Sequence, residues 1–206
     1  MAKYDQNRHK VARVFHYPYK RKIGLLGGSF NPAHSGHIAL SIAVKKQAKC
    51  DEIWWLVSPQ NPLKSAKDMA DYQTRLNYAR ALVASYRHIK VLGLEAQFGT
   101  NYSYDIIRTL GQCAPSATFC WLIGTDNFVQ LPHWFRAKDM AQMMPFIVIR
   151  RQNSFYQAMA AKSRSYFRRY SPDRALPSLT IIKNFNDPHS ATKLRQQGFW
   201  AHSKEI

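Results

Sequence analysis

Residues 22–37 read KIGLLGGSFNPAHSGH in one-letter code, and this stretch decides the fold. It opens with a short apolar run that ends at Gly27 and Gly28, a pattern typical of a buried parallel strand. A loop composition with Pro32 follows, and a helix is predicted to begin at about His34 to Gly36. A strand, a glycine-rich turn and a helix in this order predict the first unit of an α/β sheet.

The loop inside this stretch has the composition of an anion site. Its two glycines let a ligand approach the backbone closely, and the free N–H groups and dipole of the following helix attract anions. His34 and His37 fall on one side of the first helical turn, where they can donate to phosphate oxygens. The same spacing is a weak metal-ligand pattern, but the sequence nearby holds no cysteine or acidic pair to complete a zinc site. We therefore predict a phosphate site with no protein-bound metal.

Strand and helix patterns alternate along the rest of the chain. Further strands are predicted at 53–57, 89–92, 118–123, 146–149 and 179–182. Helices are predicted at 38–48, 71–85, 104–110, 138–144 and 154–168, with a short closing helix after Ser190. This alternation predicts a single α/β domain with a doubly wound parallel sheet. Ligands of such sheets bind at the carboxyl ends of the strands, so the informative loops are 27–37, 58–65, 99–103, 124–136 and 183–192.

Length and composition restrict the class of protein. The 206 residues, of which 46% are hydrophobic, can bury a core without disulfides. Three scattered cysteines without a C-x-x-C pair favour a reducing compartment, and we expect a cytoplasmic protein. No run approaches the ~18 apolar residues that a membrane helix needs, so no membrane partner is expected. The basic N-terminus lacks the apolar block of a secretory signal.

The charge is the unusual feature of the composition. Thirty Lys and Arg against twelve Asp and Glu give a net charge of +18, which favours polyanions such as nucleotides or nucleic acid, or serves solubility alone. Residues 1–21 are predicted to be a basic extension in front of a domain at 22–206. An anion-binding or subunit-binding arm and a merely solvated extension both remain open, as does the oligomeric state.

Several motifs together carry a resemblance to a known family. Gly28-Ser29-Phe30-Asn31-Pro32 followed by His34-x-Gly36-His37 resembles the signature of the H-x-G-H nucleotidyltransferases, and within them the bacterial nicotinate-nucleotide adenylyltransferases. The likeness covers about residues 22–198. Asn31 stands where the family more usually has Asp; it keeps a carbonyl acceptor, so we expect the local geometry to survive. Four further segments resemble the family in the same order: 61–64, 100–105, 122–126 with 131–134, and 190–195.

The resemblance implies a Rossmann-like nucleotidyltransferase that transfers the adenylyl group of ATP to nicotinate mononucleotide. The products would be deamido-NAD and diphosphate, as a step of NAD biosynthesis, with Mg²⁺ accompanying ATP. It implies that the catalytic residues are His34, His37 and Arg195. The ATP-binding residues would be Gly28, Ser29, Phe30, His34, His37, Gly124, Asp126, Ser190, Thr192 and Arg195. The mononucleotide-binding residues would be Lys64, Arg75, Thr100, Tyr102 and Trp134.

The resemblance also implies how the nicotinate group is recognised. Backbone N–H groups of 99–102 and 133–135 would bind its carboxylate, with Trp134 stacked on the ring, and neither loop contains an acid that would repel it. Plainer roles remain open: Asp126 as a helix cap, Trp134 as core, and Lys64 and Arg75 as solvated charges.

Competing functions remain as well. One is a sister adenylyltransferase for nicotinamide mononucleotide or phosphopantetheine. From another class, the alternative is a nucleic-acid-binding protein on the same scaffold.

Overall fold

The sheet is parallel throughout and has the topology of a doubly wound fold. The computed structural model describes residues 20–59, 69–151, 155–167 and 176–185. Within these residues the strands are β1 (Arg21–Gly28), β2 (Glu52–Val57), β3 (Ile89–Leu92), β4 (Ala117–Gly124), β5 (Phe146–Arg151) and β6 (Leu179–Phe185). Their order is β3-β2-β1-β4-β5-β6, so β1 and β4 meet at the point where the order reverses. The predicted fold is confirmed.

The helices cover both faces of the sheet. They are α1 (Ser35–Gln47), α2 (Tyr72–Leu82), α3 (Leu94–Phe98), α4 (Ser103–Cys113), α5 (Thr125–Gln130), α6 (Ala137–Met143) and α7 (Phe155–Ala160), with 3₁₀ turns at Leu131–His133 and Lys162–Tyr166. The helix predicted at 154–168 was too long, because α7 ends at Ala160 and a separate 3₁₀ turn follows. The short helices α3 and α5 were not predicted, since five or six residues are too few for a periodic pattern. The predicted closing helix lies outside the described residues.

Two hydrophobic clusters make up the core, one on each face of the sheet. Trp54 and Trp55 follow each other in β2 and therefore point to opposite faces, and both are fully buried. Trp54 joins the cluster under α3 to α7, whereas Trp55 joins the cluster under α1 and α2. Strand β2 is buried along its whole length, as expected for a central parallel strand. Both tryptophans therefore belong to the core.

The amino-terminal edge of the sheet is held by one buried carboxylate. Glu52, at the start of β2, pairs with Arg21 at 3.2 Å and with Lys90 at 3.0 Å, and accepts a hydrogen bond from Trp54 Nε1 at 2.8 Å. Arg21 is the first residue of β1, so the sheet begins one residue before the predicted start of the domain. None of the described helices is long and apolar enough to cross a membrane.

Candidate active site

The loop after β1 is held in a conformation that its sequence does not favour by itself. Phe30 has a φ of 46°, in the left-handed region that bulky residues rarely adopt. Its ring is buried and stacks on Trp55 at 5.0 Å between centroids, and it also contacts the ring of His37 at 4.9 Å. The ring of Phe30 therefore packs against the rings of both Trp55 and His37. The structure places this predicted ATP-binding residue in the packing beneath the loop.

The space left by one of the two glycines is filled by protein. A Cβ atom at residue 27 would lie 2.8 Å from Cζ2 of Trp121, which is closer than real Cβ contacts. Gly27 thus lets an indole ring pack against β1, and Gly27, Gly28 and Ser29 all line an open cavity. The sequence predicted that a ligand approaches the backbone at both glycines. At Gly27 the indole ring of Trp121 makes this close approach.

The two predicted histidines form the cap of α1. His34 is the N-cap residue, and its Nδ1 accepts a hydrogen bond from Gly36 N at 3.1 Å. His37 Nδ1 accepts in turn from His34 N at 3.2 Å, which completes a reciprocal capping box. The centroids of the two rings are 4.0 Å apart. The sequence motif is therefore one compact unit in the structure.

This cap determines which nitrogen of each imidazole carries the proton. A nitrogen that accepts a hydrogen bond from a backbone N–H carries no proton, so the neutral form of each ring has its proton on Nε2. The N–H groups of Gly36 and His37, however, are both bonded to His34, the latter to its carbonyl at 2.9 Å. These two backbone donors, predicted as part of a free helix terminus, are thus occupied. The donors suited to an anion are the imidazole Nε2–H groups.

A hydroxyl fixes the first turn of α1 against the sheet. Ser41 Oγ donates to the carbonyl of His37 at 2.7 Å and accepts from Trp55 Nε1 at 2.8 Å. Ser41 and Trp55 are both fully buried, so this bridge is shielded from water. The position of His37 is therefore set by the core as well as by the loop.

Arg75 links several loops through hydrogen bonds. Its side chain is 1% exposed, and it donates to the carbonyls of Ser29, Ser58, Pro59 and Ala70. These carbonyls belong to the loops after β1 and β2 and to the segment before α2. Burial lowers the pKa of Arg75, and the charges of Tyr72, Asp71 and Glu95 oppose this shift. The predicted mononucleotide or phosphate contact is replaced by a positioning role, because the guanidinium is turned towards backbone oxygens.

Asn31 also links loops that are distant in sequence. Its Oδ1 accepts from Ala70 N at 3.1 Å, and the side chain is 6% exposed. The carbonyl acceptor expected of this residue is therefore in use. Its partner is the segment before α2 rather than its own turn.

A cavity opens beside the loop after β1. Its lining comes from residues 27–29, 101–103 and 133–135, together with Ser58, Glu95, Trp121, Asn127 and Met140, and its volume is about 130 Å³. One end is aromatic: Tyr102 packs on Phe135 at 4.6 Å, and Trp134 meets Trp121 edge-on at 6.2 Å. Trp134 is partly buried against the core and also lines the cavity; its stacking on a pyridine ring stays a prediction.

The loop at 99–102 uses most of its polar groups internally. Thr100 N donates to Glu95 O at 3.1 Å, Thr100 Oγ1 donates to Asp105 Oδ2 at 2.8 Å, and Tyr102 N donates to Thr100 Oγ1 at 3.1 Å. Trp134 N likewise donates to Leu131 O at 3.0 Å. Three of the backbone donors predicted for a carboxylate are thus occupied. The side chains of Asn101, Ser103 and His133 line the cavity and can supply donors instead.

Glu95 is the cavity residue that the sequence reasoning missed. It is 4% exposed, lies in the first turn of α3, and contributes to the cavity lining. Burial raises its pKa to about 7, against the lowering effects of a hydrogen bond from Ser58 and the charge of Arg75. The two loops contain no acid, but Glu95 of α3 brings a carboxyl group to the assembled cavity. The available signal was the position of Glu95 just beyond the end of β3, at the edge where ligands bind.

The structure describes only some of the remaining predicted site residues. Gly124 ends β4 and caps α5, and Asp126 is exposed in the first turn of that helix, where a carboxylate complements the helix dipole. Lys64, Ser190, Thr192 and Arg195 lie outside the described residues. Among the residues that the structure covers, no three His, Cys, Asp or Glu side chains gather to hold a metal ion.

Comparisons with known proteins agree on one family. Residues 25–197 match the model of the cytidylyltransferase-like proteins. The chain is 39% identical over 189 residues to the "probable nicotinate-nucleotide adenylyltransferase" of Parvibaculum lavamentivorans, covering 87% of this chain and 94% of that protein. It is also 39% identical to the protein of the same name from Erythrobacter litoralis, covering 85% of this chain and 84% of the relative.

Solved structures show the same fold. The nicotinic acid mononucleotide adenylyltransferase of Plasmodium falciparum, in its complex with NaAD, superposes with a TM-score of 0.68 at 19% identity, covering 85% of this chain and 83% of that one. Its complex with APC superposes with a TM-score of 0.65 at 18% identity, over the same shares of the two chains. With the sequence relatives above, the conclusion is that the chain belongs to the nicotinate-nucleotide adenylyltransferase family of the cytidylyltransferase-like proteins.

Proposed function

We propose that this chain transfers the adenylyl group of ATP to nicotinate mononucleotide, with deamido-NAD and diphosphate as products. The observation that carries the proposal is the junction of two sites: the capped histidine loop and the aromatic cavity meet at Gly28 and Ser29. A phosphate held at the loop and a pyridine ring held at the aromatic end would be joined by a ribose. This is the layout of a pyridine mononucleotide whose phosphate faces ATP.

The reaction needs positioning more than proton transfer. A phosphate oxygen of the mononucleotide attacks the α-phosphorus of ATP, a new P–O bond forms, and the bond to the outgoing diphosphate breaks. No proton has to move in this step, so catalysis consists of orientation and stabilisation of charge. The Nε2–H groups of His34 and His37 are suited to stabilise the charge that develops on the α-phosphate.

ATP is proposed to enter as its Mg²⁺ complex. Mg²⁺ usually keeps several waters and binds substrate phosphates with one or two carboxylates, so it needs no cage of protein ligands. Gly124 and Asp126 are proposed for the adenosine side, and Ser190, Thr192 and Arg195 for the outgoing diphosphate. Lys64 is proposed for the mononucleotide.

One assay tests the function directly. The full chain is incubated with ATP, Mg²⁺ and nicotinate mononucleotide, and the product is identified by mass. Nicotinamide mononucleotide and phosphopantetheine are run in parallel as acceptors, with a variant carrying His34→Ala and His37→Ala as the control for a contaminating enzyme. Deamido-NAD from the wild-type chain alone supports the proposal. Product from phosphopantetheine only, or from no acceptor, refutes it.

A further inference from the structure

Two polar atoms in the wall of the cavity have no hydrogen-bond partner among the described residues. One is an acceptor, Oε2 of Glu95, and the other is a donor, Nε1 of Trp121. Both side chains are at least nine-tenths buried, and both residues line the cavity. A buried polar atom without a partner costs its full desolvation penalty, so such groups in native proteins call for an explanation. A ligand that brings both a donor and an acceptor would satisfy the pair.

Polar and charged groups surround the carboxyl group of Glu95. Ser58, at the end of β2, hydrogen-bonds to its carboxyl group, and Arg75 and Tyr72 of α2 are the charged and titratable groups that act on it. Arg75 in turn donates to the carbonyls of Ser29 and Ser58. Glu95 is therefore tied to the loops after β1 and β2, and its backbone carbonyl also accepts a hydrogen bond from Thr100 N in the loop that leads to Tyr102.

The chemistry of the acceptor substrate decides which group can meet this carboxyl. The carboxylate and phosphate of nicotinate mononucleotide offer acceptors, whereas its ribose hydroxyls are both donors and acceptors. Because the pKa of Glu95 is about 7, both of its protonation states are populated near neutral pH. A hydroxyl donates to the ionised carboxylate and accepts from the protonated acid. The ribose also joins the ring to the phosphate, and Glu95 is tied both to the loop after β1, through Arg75, and to the loop that carries Tyr102, through Thr100.

We propose that Glu95 binds a ribose hydroxyl of the acceptor mononucleotide and so selects ribonucleotides over their deoxy counterparts. This inference rests on the proposed function. The indole N–H of Trp121 supplies a donor in the same cavity for an oxygen of the same substrate. Oε2 of Glu95 and Nε1 of Trp121 would then each have a hydrogen-bond partner in the complex.

The test combines substrate analogues with a variant of Glu95. The wild-type chain is assayed with nicotinate mononucleotide and with its 2′-deoxy and 3′-deoxy analogues. At least one deoxy analogue is expected to lose about tenfold or more in kcat/KM, since it leaves the carboxyl unpaired. Glu95→Ala is expected to lose a similar factor with the ribonucleotide and to show no further loss with that analogue. The KM for ATP should stay unchanged.

Glu52→Gln is the matched control, because it neutralises another buried glutamate at the opposite edge of the sheet. It should keep the wild-type discrimination between ribo and deoxy substrates. Wild-type protein that uses all three acceptors equally overturns the inference, and so does a folded Glu95→Ala variant that still discriminates. The first of these results needs no variant. A chain that adenylylates neither nicotinate nor nicotinamide mononucleotide refutes the proposed function itself.

Discussion

The loop that carries His34 and His37 differs in construction from the cavity that carries Tyr102 and Trp134. The loop is closed by hydrogen bonds over a few residues and is anchored beneath by Phe30 and Ser41. The cavity is assembled from segments scattered between Gly27 and Met140, and two of its rings are about half exposed, with Tyr102 at 45% and Phe135 at 49%. A preorganised loop suits the stabilisation of a transition state, whereas an open aromatic site suits selection of a substrate.

The largest effect is expected when the histidine loop loses the Nε2–H donor of His37. His37→Ala should lower kcat by about 100-fold, at least as much as it weakens ATP affinity, because the hydrogen bond strengthens as charge develops. His37→Asn is the matched variant, since its amide oxygen can replace Nδ1 in the cap but it has no group at Nε2. Both variants are measured by steady-state kinetics. Near-normal turnover in His37→Asn would remove the Nε2–H group from the mechanism.

The same contrast explains what the sequence could predict. The histidine loop follows from local signals, namely an apolar run, two glycines and a helix start, so its position and the capping region were predicted. Arg75 could not be placed in the same way, because its partners Ser29 and Ser58 come from the ends of two other elements. Glu95 was missed because α3 is too short to show a period, although the end of β3 at Leu92 was predicted correctly. Residues whose role depends on tertiary contacts require the structure.

The pH dependence of stability tests the cavity residue Glu95 separately from the histidine loop. The pKa of Glu95 is raised from 4.5 to about 7 by burial, so the folded chain binds this proton more tightly than the unfolded chain. The stability that Glu95 contributes is therefore fully present below pH 4.5 and is lost as the pH rises through 7. The rise in the pKa from 4.5 to about 7 corresponds to about 3 kcal/mol.

The Glu95→Gln variant lacks this titrating group. Between pH 4.5 and 8 the unfolding free energy of the wild type should therefore fall relative to that of the variant. Arg75, Tyr72 and Ser58 surround the carboxyl and are unchanged in the variant. Urea unfolding at several pH values gives the two curves. Parallel curves across this range would show that the carboxyl does not titrate there.

The choice of acceptor tests the aromatic end alone. Nicotinate mononucleotide should exceed nicotinamide mononucleotide by about tenfold or more in kcat/KM, because an amide NH₂ facing donors leaves one of them unpaired. Asn101, Ser103 and His133 are the side chains available as those donors. Trp134→Ala should weaken both acceptors and leave ATP binding nearly unchanged, since Trp134 lines the cavity and is not a member of the histidine cap. Equal efficiency with both acceptors would overturn the preference and favour the sister enzyme.

The smallest effect is expected outside both regions. Residues 1–21 carry Lys3, Arg8, Lys10, Arg13, Lys20 and Arg21 against the single acid Asp5. Because Arg21 begins β1, we propose that residues 1–20 are an extension to the catalytic domain. Deleting residues 2–20 keeps Arg21, which begins β1 and pairs with Glu52, so the sheet should form as before. The values of kcat and both KM should stay close to those of the full chain at physiological salt, where the Debye length is only about 8 Å. Repeating the assay at low salt reveals any long-range attraction of the anionic substrates by the extension, because such an effect fades as salt is added. A deletion protein that folds, as judged by its thermal unfolding, but has no activity would show that the extension completes one of the two regions.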